Sequence, residues 1–394
     1  MEGAHIFMAI NIRSFVLYTT IISIFSEALF VRYGFDIKAF YLVLIINTLL
    51  IIPAHSIYIH TYHFILLCLL AISGIIGILA GTNDLIPFLF TITGISASSI
   101  YYYNFFKYQN ISIEKIFNLY FHIAYLVALI GLLIFCYDLI IGNELKYVKS
   151  IMLEPAHYCA AVMPALYYGL QRTLQEREHI WKSGIILVSI GLSGSSVGFV
   201  GLLLILFFLF ARNIKGTILG IIAVSLSFAF IYTFSDKFNL RVDDTLRAIQ
   251  TGAVDEVNLS TYSLIKNTFI ATESFKRNPL LGGGLGSHVV SHEKFVDSIP
   301  GIEMLPIDFI ELNSKDASSL ANRVVSELGI IGVIFLLTFL YYFRNKNNAF
   351  NTAAFIYFLL KLLRNGHYFT PETYFFVMVF VLTSAAAMGK PRSN

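Results

Sequence analysis

The sequence predicts an all-α, polytopic membrane protein of about 12 transmembrane helices with one long polar loop. Three observations predict it. Of 394 residues, 57% are hydrophobic and only 13% charged, where a soluble domain carries about 25% charged residues. Mean hydropathy is +0.74. Apolar runs recur along most of the chain at lengths suited to a bilayer, which takes about 20 residues at 1.5 Å rise each. A single stretch, 235–323, breaks that pattern.

The helices are expected near 8–31, 38–53, 62–80, 85–106, 115–141, 152–170, 182–194, 196–212, 214–234, 324–343, 349–363 and 371–389. The first run has only Arg13 before it and no A-x-A cleavage site after it, so it reads as a retained helix rather than a signal peptide. "LSGSSVG" (Leu192 to Gly198) interrupts one long apolar run, either as a tight reversal or as a broken helix lining a cavity. The organisation is therefore 1–234, nine helices; 235–323, the loop; and 324–394, three helices and a tail. Cys68, Cys136 and Cys159 sit in apolar runs without metal-ligand spacing and read as small packed side chains. A net charge of +3 implies no nucleic-acid partner.

Loop charges set the orientation. Lys107, Lys115, Arg172, Arg177, Lys182, Arg212, Lys215, Arg344, Lys346, Lys390 and Arg392 fall on one side. Arg32, Lys38, Lys146, Lys149, Lys361 and Arg364 fall on the other. The richer side is cytoplasmic, which puts both termini in the cytoplasm and the long loop outside.

That placement decides how "NPLLGGGLGSH" (Asn278 to His288) is read. Outside the membrane no nucleotide is on hand, and the Walker and dinucleotide patterns are absent. Two readings stand for Gly282, Gly283, Gly284 and Gly286: backbone N–H groups gathered on a lipid phosphate, or a plain turn after Asn278-Pro279.

Ionisable residues beside spanning segments mark function by default. "LEPAHY" (Leu153 to Tyr158) offers Glu154, a histidine and a tyrosine to a sugar, or simply starts a helix with Pro155. Arg241 and Arg247 follow the ninth helix; Arg323 and Glu327 open the tenth. Arginine grips phosphate bidentately without a metal, while local salt bridges such as Arg241 with Asp244 are the plainer account. "KLLRNGHYFTPE" brings Arg364, His367 and Tyr368 to the same side, for a ligand or as interfacial anchors. Aromatics make up 15% of the chain, "YYYNFF" (Tyr101 to Phe106) among them, and belts and lipid packing account for most.

These features together resemble the O-antigen polymerase and ligase family: the long outer loop after the ninth helix, "NPLLGGGLG", "SELGIIGV", and Arg241 followed by ten residues and then Gly252. Ligases of the group carry a His-Asn-like pair before that helix; here the place reads "DASSLANRVVSELG" with Ser318 and Ser319, which favours the polymerase. The resemblance implies a GT-C-type, inverting, metal-independent glycosyltransferase of the bacterial inner membrane, without cofactor. Its substrates would be undecaprenyl-diphosphate-linked glycans, and its partners a chain-length regulator and a flippase. On that basis Arg241, with Arg323 or Arg277, would stabilise the departing diphosphate. Glu154 or His288 would accept the proton. A transporter, expected to carry repeats and midplane charges, and a structural scaffold are the rival classes.

Overall fold

Apolar runs without a polar face must bury every backbone group internally, and helices are what they form. The computed structural model describes residues 2–33, 35–142, 147–176, 179–211, 214–234, 236–251, 259–299, 302 and 306–384. Side chains at 2–11, 31–37 and some positions from 231 to 251, Arg241 among them, are outside the described set. So are Lys146, Arg177, Arg212, Lys390 and Arg392, which entered the charge comparison, and Gly252 of the arginine–glycine spacing.

The chain runs α1 (Glu2–Ser23), a hairpin of β1 (Phe30–Tyr33) and β2 (Phe35–Lys38), α2 (Ala39–Ile51), α3 (Thr61–Leu79), α4 (Leu85–Gln109), α5 (Ile113–Ile141) and α6 (Pro155–Glu176). There follow α7 (Ile180–Leu192), α8 (Ser196–Phe210), α9 (Ile214–Phe234), α10 (Asp236–Thr251), α11 (Leu259–Arg277), α12 (His288–Phe295) and α13 (Ile307–Ile310). The last three are α14 (Leu320–Tyr342), α15 (Ala349–Leu363) and α16 (Thr373–Leu382). Among the described residues, α3, α4, α5 and α14 are long and apolar enough to cross a membrane, and shorter apolar helices flank them. Large apolar side chains such as Leu79, Ile140 and Ile214 point outward, as a lipid-facing surface requires. This is a membrane-embedded helical protein.

The core gathers α1, α4, α5, α6, α15 and α16, with Tyr102, Tyr120, Phe117 and Phe376 fully buried. The "YYYNFF" aromatics belong here rather than to a belt: Tyr101 and Phe105 are buried, and the Tyr102 hydroxyl donates to the Pro371 carbonyl at 2.7 Å. Cys159 is buried, whereas Cys136 lies on the exposed side of α5.

Two departures from expectation have physical causes. The first helix ends at Ser23, eight residues early, and a two-stranded antiparallel hairpin pairing Phe30 with Lys38 takes its place. Valine, tyrosine, phenylalanine and isoleucine alternate there with arginine, glycine, aspartate and lysine, a period of two that a helix does not use. The two helices expected at 182–194 and 196–212 are α7 and α8, parted at "LSGSS" with Gly194 at φ 58°. Finally, much of the polar loop is helical, in α10 to α13.

Candidate functional site

Helix ends at one side of the molecule carry charge inward. Glu27, just past α1, receives His157 Nδ1 at 2.8 Å and stands 3.8 Å from Lys38 Nζ. Glu372, at the start of α16, accepts from Thr370 at 2.8 Å and from the Tyr357 hydroxyl at 3.2 Å. Lys361, near the end of α15, donates to Thr370 at 3.2 Å. Asp316, ahead of α14, faces His367 at 3.5 Å. Charges so buried persist only when paired, and each of these has a partner. These charges feel one another: Lys361 interacts with Glu372, Glu27 and Asp316, and His367 with Asp316, Lys38, Arg323 and His157.

Beside this cluster opens a cavity of about 400 Å³. Its walls are apolar, built by Val197 and Val200 on α8, Phe228 on α9, Leu246 on α10, Leu264 on α11 and Leu360 on α15. Arg364, Ser260 and Thr261 supply a polar end, together with Ala156, the neighbour of His157, and Ser195 and Ser196 of the "LSGSS" break. Arg364 is half-buried and makes one long contact, 3.5 Å to the Ser260 carbonyl. Such a pocket suits a ligand with an apolar body and a charged head.

Arg241 and Arg247 lie on α10, whose Val242 and Leu246 line the cavity. The side chain of Arg241 is outside the described residues, and Arg247 is exposed. Glu154 sits half-buried directly before α6, its carbonyl accepting from Tyr158 N–H at 3.1 Å.

Arg323 is fully committed within the protein. Its Nε donates to Glu327 at 2.9 Å, Nη1 to the Gly366 carbonyl at 3.3 Å and Nη2 to Thr91 at 3.4 Å. The Tyr368 ring covers it at 4.4 Å. Arg323 therefore braces the 364–368 loop rather than reaching for a ligand. Arg277 stands apart from the cavity. Thr261 and Arg277 bracket most of α11, 16 residues or roughly 24 Å. Arg277 instead lies over the Phe295 ring at 4.5 Å, beside a notch of about 40 Å³ shared with Lys294.

His288 is also internal. It has no exposed surface. Nδ1 pairs with Ser326 at 2.9 Å and Nε2 with Asn267 at 3.0 Å. Burial, then the Arg323 charge, lowers its pKa to about 3, so the ring is a neutral post. A ring with both nitrogens engaged and no open face is not placed to take an acceptor's proton. The post does reach the site: Asn267 donates to Ser318 at 2.9 Å, and Ser318 N–H donates to Asp316 at 3.0 Å.

The glycines form a splice. Gly282, Gly284 and Gly286 have φ of 64°, 95° and 91°, a region open to glycine at little cost. The N–H groups of Gly282, Gly283 and Gly284 are engaged within the protein, the first by the Asn278 carbonyl at 2.9 Å. Gly283 N donates to the Ser326 carbonyl at 2.8 Å and Gly284 N to that of Glu327 at 2.9 Å. In return, Ile330 N donates to the Pro279 carbonyl at 2.9 Å. The exchange occurs where Gly329, at φ 59° and ψ −152°, breaks α14 and releases those groups. A Cβ at Gly282 would stand 2.5 Å from the Glu327 backbone, and one at Gly284 2.7 Å from the Ser73 carbonyl.

Sequence reasoning missed Glu27, Asp316 and the pairing role of Lys361. Each is a charge at the margin of an apolar run, the signal that drew notice to Glu154 and Arg364. Among the described residues, no group of three or more His, Cys, Asp or Glu converges to hold a metal. No protein-family model matches the chain, and no curated protein matches it.

Proposed function

We propose that this protein is an O-antigen polymerase: a GT-C-type glycosyltransferase joining undecaprenyl-diphosphate-linked repeat units at the periplasmic face of the bacterial inner membrane. In this reading α1 to α9 and α14 to α16 are the membrane crossings, α10 to α13 lie outside, and both termini are cytoplasmic. One observation carries it. An apolar cavity of about 400 Å³ opens beside a cluster of paired charges, with Arg364 at the junction. The first suits the head-group-proximal part of a prenyl chain and the second a diphosphate-linked sugar.

The acceptor hydroxyl oxygen attacks the anomeric carbon, and the bond to the diphosphate oxygen breaks with its electron pair leaving on the diphosphate. Charge grows on that leaving group, so a prepositioned guanidinium stabilises the transition state more than the ground state. Arg241 and Arg364 are assigned that work, and Glu154 borders it.

The charged pairs lie within two turns of helix ends, which favours chemistry at a face over passage through the midplane. Purified protein supplied with lipid-linked repeat units and EDTA should make a ladder of polymer. With lipid A core added as a second acceptor, products formed only on it would indicate a ligase, and movement of units without bond formation a carrier. Arg241→Lys keeps charge but loses the fork, so its rate should fall about a hundredfold, or on the order of 3 kcal/mol. Near-normal polymer from it would remove Arg241 from the mechanism. A reporter fused after Lys346 should behave as cytoplasmic and one near Glu256 as periplasmic; the reverse pattern would overturn the orientation.

A further inference from the structure

We propose that Asp316 and His367 act together as the proton-accepting dyad for the acceptor hydroxyl, an assignment that rests on the glycosyl-transfer reading. His367 is the proton acceptor and Asp316 its positioning residue.

The two come from loops far apart in sequence. His367 Nε2 lies 3.5 Å from Asp316 Oδ2, a contact of the kind that tightens when substrate is bound. The carboxylate is 5% exposed and the imidazole 34%. The acid is therefore locked inside while the ring stays reachable. Asp316 has its own supports: Oδ1 accepts the Ser318 N–H at 3.0 Å and Oδ2 the Asn313 amide at 3.3 Å. Burial pushes the Asp316 carboxyl up, but the His367 ring and the Ser318 N–H outweigh it and hold the group below the usual carboxylate range. An ionised carboxylate fixes which ring nitrogen faces it, leaving Nδ1 for a substrate. Nδ1 makes no hydrogen bond among the described residues.

Backbone strain is concentrated at this meeting point. Among the described residues seven non-glycine residues have positive φ, and four flank the dyad: Asn313 at 57°, Ala317 at 61°, Ser318 at 60° and Asn365 at 74°. Each left-handed alanine or serine costs about 1–2 kcal/mol, and such strain persists where the surroundings impose it. Those surroundings are visible. Asn365 N–H donates to the Ser318 carbonyl at 2.8 Å, Arg323 holds the Gly366 carbonyl, and a Cβ at Gly366 would run into the Asp316 carbonyl oxygen. Neither member of the dyad lines the cavity, but their neighbours connect them to it. Arg364 of the same loop lines it, and Ser263, next to the lining residues Ser260 and Thr261, meets the Ser318 hydroxyl at 2.6 Å.

In the step proposed, the acceptor O–H gives its proton to His367 Nδ1 while its oxygen bonds the anomeric carbon. The diphosphate departs with the electrons of the broken bond, and the proton then leaves the ring for water. Charged neighbours facing the pair are Arg323 from α14, Lys38 before α2, Glu27 after α1, His157 from α6, Lys361 from α15 and Lys266 from α11. Their fields are common to wild type and variants, so differences in pH profile report the dyad.

The test is steady-state polymerisation by the full-length protein, with lipid-linked repeat units, as a function of pH. Burial, which outweighs the Asp316 charge, lowers the His367 pKa to about 3, so in wild type the rate should hold through neutral pH and fall only far on the acid side, as His367 protonates. His367→Gln should lower kcat roughly a hundredfold, leave KM within about threefold, and abolish the acid limb. Added imidazole should partly restore His367→Ala. Asp316→Asn should keep the limb but move it to lower pH, since a ring without its carboxylate holds a proton less firmly. Unfolding temperatures of the His367 variants, whose ring is partly exposed, check that the fold persists. Polymer from His367→Gln at the wild-type rate overturns the dyad and leaves the glycosyl-transfer reading standing. So does a lower rate with an unchanged pH profile and no rescue by imidazole, which would make the pair a structural latch. No polymer from wild type removes the glycosyl-transfer reading, and the dyad with it.

Discussion

The glycine stretch at 278–288 and the loops at 313–319 and 364–368 invite opposite conclusions from sequence and structure. Four glycines in five positions look like a ligand cradle; "KDASS" looks like punctuation before a helix, and "RNGHY" like a loop whose charges serve a ligand or an interfacial anchor. In three dimensions the Gly283 and Gly284 N–H groups are spent on the broken α14, while the two plain loops press a carboxylate against a reachable imidazole. Glycine reports that backbone comes close to something. Its partner can be the protein itself, and here it is. Charges at helix margins report a cost that must be met by a partner, and those partners come from distant segments.

The sharpest way to break this contrast is at Gly282. Valine there meets the Glu327 backbone and a positive φ at once, with no flexible neighbour to yield. Gly282→Val should fail to accumulate in membranes. Gly81 has a similar φ of 66° but open space around its Cβ, so Gly81→Ala should cost only about 1 kcal/mol and accumulate normally. A Gly282→Val protein that accumulates, unfolds at the wild-type temperature and lacks only activity would restore the cradle.

Next in size is Arg323→Ala. It leaves Glu327 buried and unpaired, and removes the brace on Gly366. Losing one partner of a buried pair costs about 3–5 kcal/mol, which thermal unfolding in detergent should register as a large drop. A change of less than about 1 kcal/mol would mean the pair is not enclosed as described.

His288 sharpens the comparison through pH. Its folded pKa is lowered to about 3, against about 6.5 in an unfolded chain. Between those values the unfolded state holds a proton the folded state refuses, so stability rises with pH and is lost as pH falls below about 6.5. From pH 6.5 to 5 the loss should approach about 2 kcal/mol at 1.36 kcal/mol per unit. His288→Gln, which keeps a donor and an acceptor, should flatten that slope in unfolding measured across the range. An unchanged slope would place the acid sensitivity elsewhere.

Much of the fold was legible because a bilayer enforces it. Apolar runs at 62–80, 85–106 and 349–363 became Thr61–Leu79, Leu85–Gln109 and Ala349–Leu363. The first run failed where alternation at 30–38 overrode hydrophobicity, a signal present but outweighed by the run beside it. Of the site, Arg364 and His367 were legible as charges near a membrane that demand a reason. Asp316 and Glu27 were not, because nothing local distinguishes a carboxylate that meets a histidine 51 or 130 residues away from one that meets water. His288 was misjudged for the same reason: its type suggests proton transfer, but its burial and two partners are tertiary facts.

The smallest expected effect separates two arginines that sequence grouped together. Arg277 is exposed, stacked on Phe295 and far along α11 from the cavity; Arg364 stands at the cavity's polar end. A cation over an exposed ring contributes about 0.5–1 kcal/mol, so Arg277→Ala should lose no more than that in stability. Its polymer yield should stay within about twofold of wild type, since a guanidinium roughly 24 Å away in a salt-screened medium adds little to a transition state. Arg364→Ala, by contrast, removes a cation from where the diphosphate would lie and should cut the rate by at least about tenfold at nearly unchanged stability. Both are read in the same assay on purified protein of verified unfolding temperature. Equal losses from the two would mean that the notch beside Phe295 shares in substrate binding, and that the cavity is not the whole of the site.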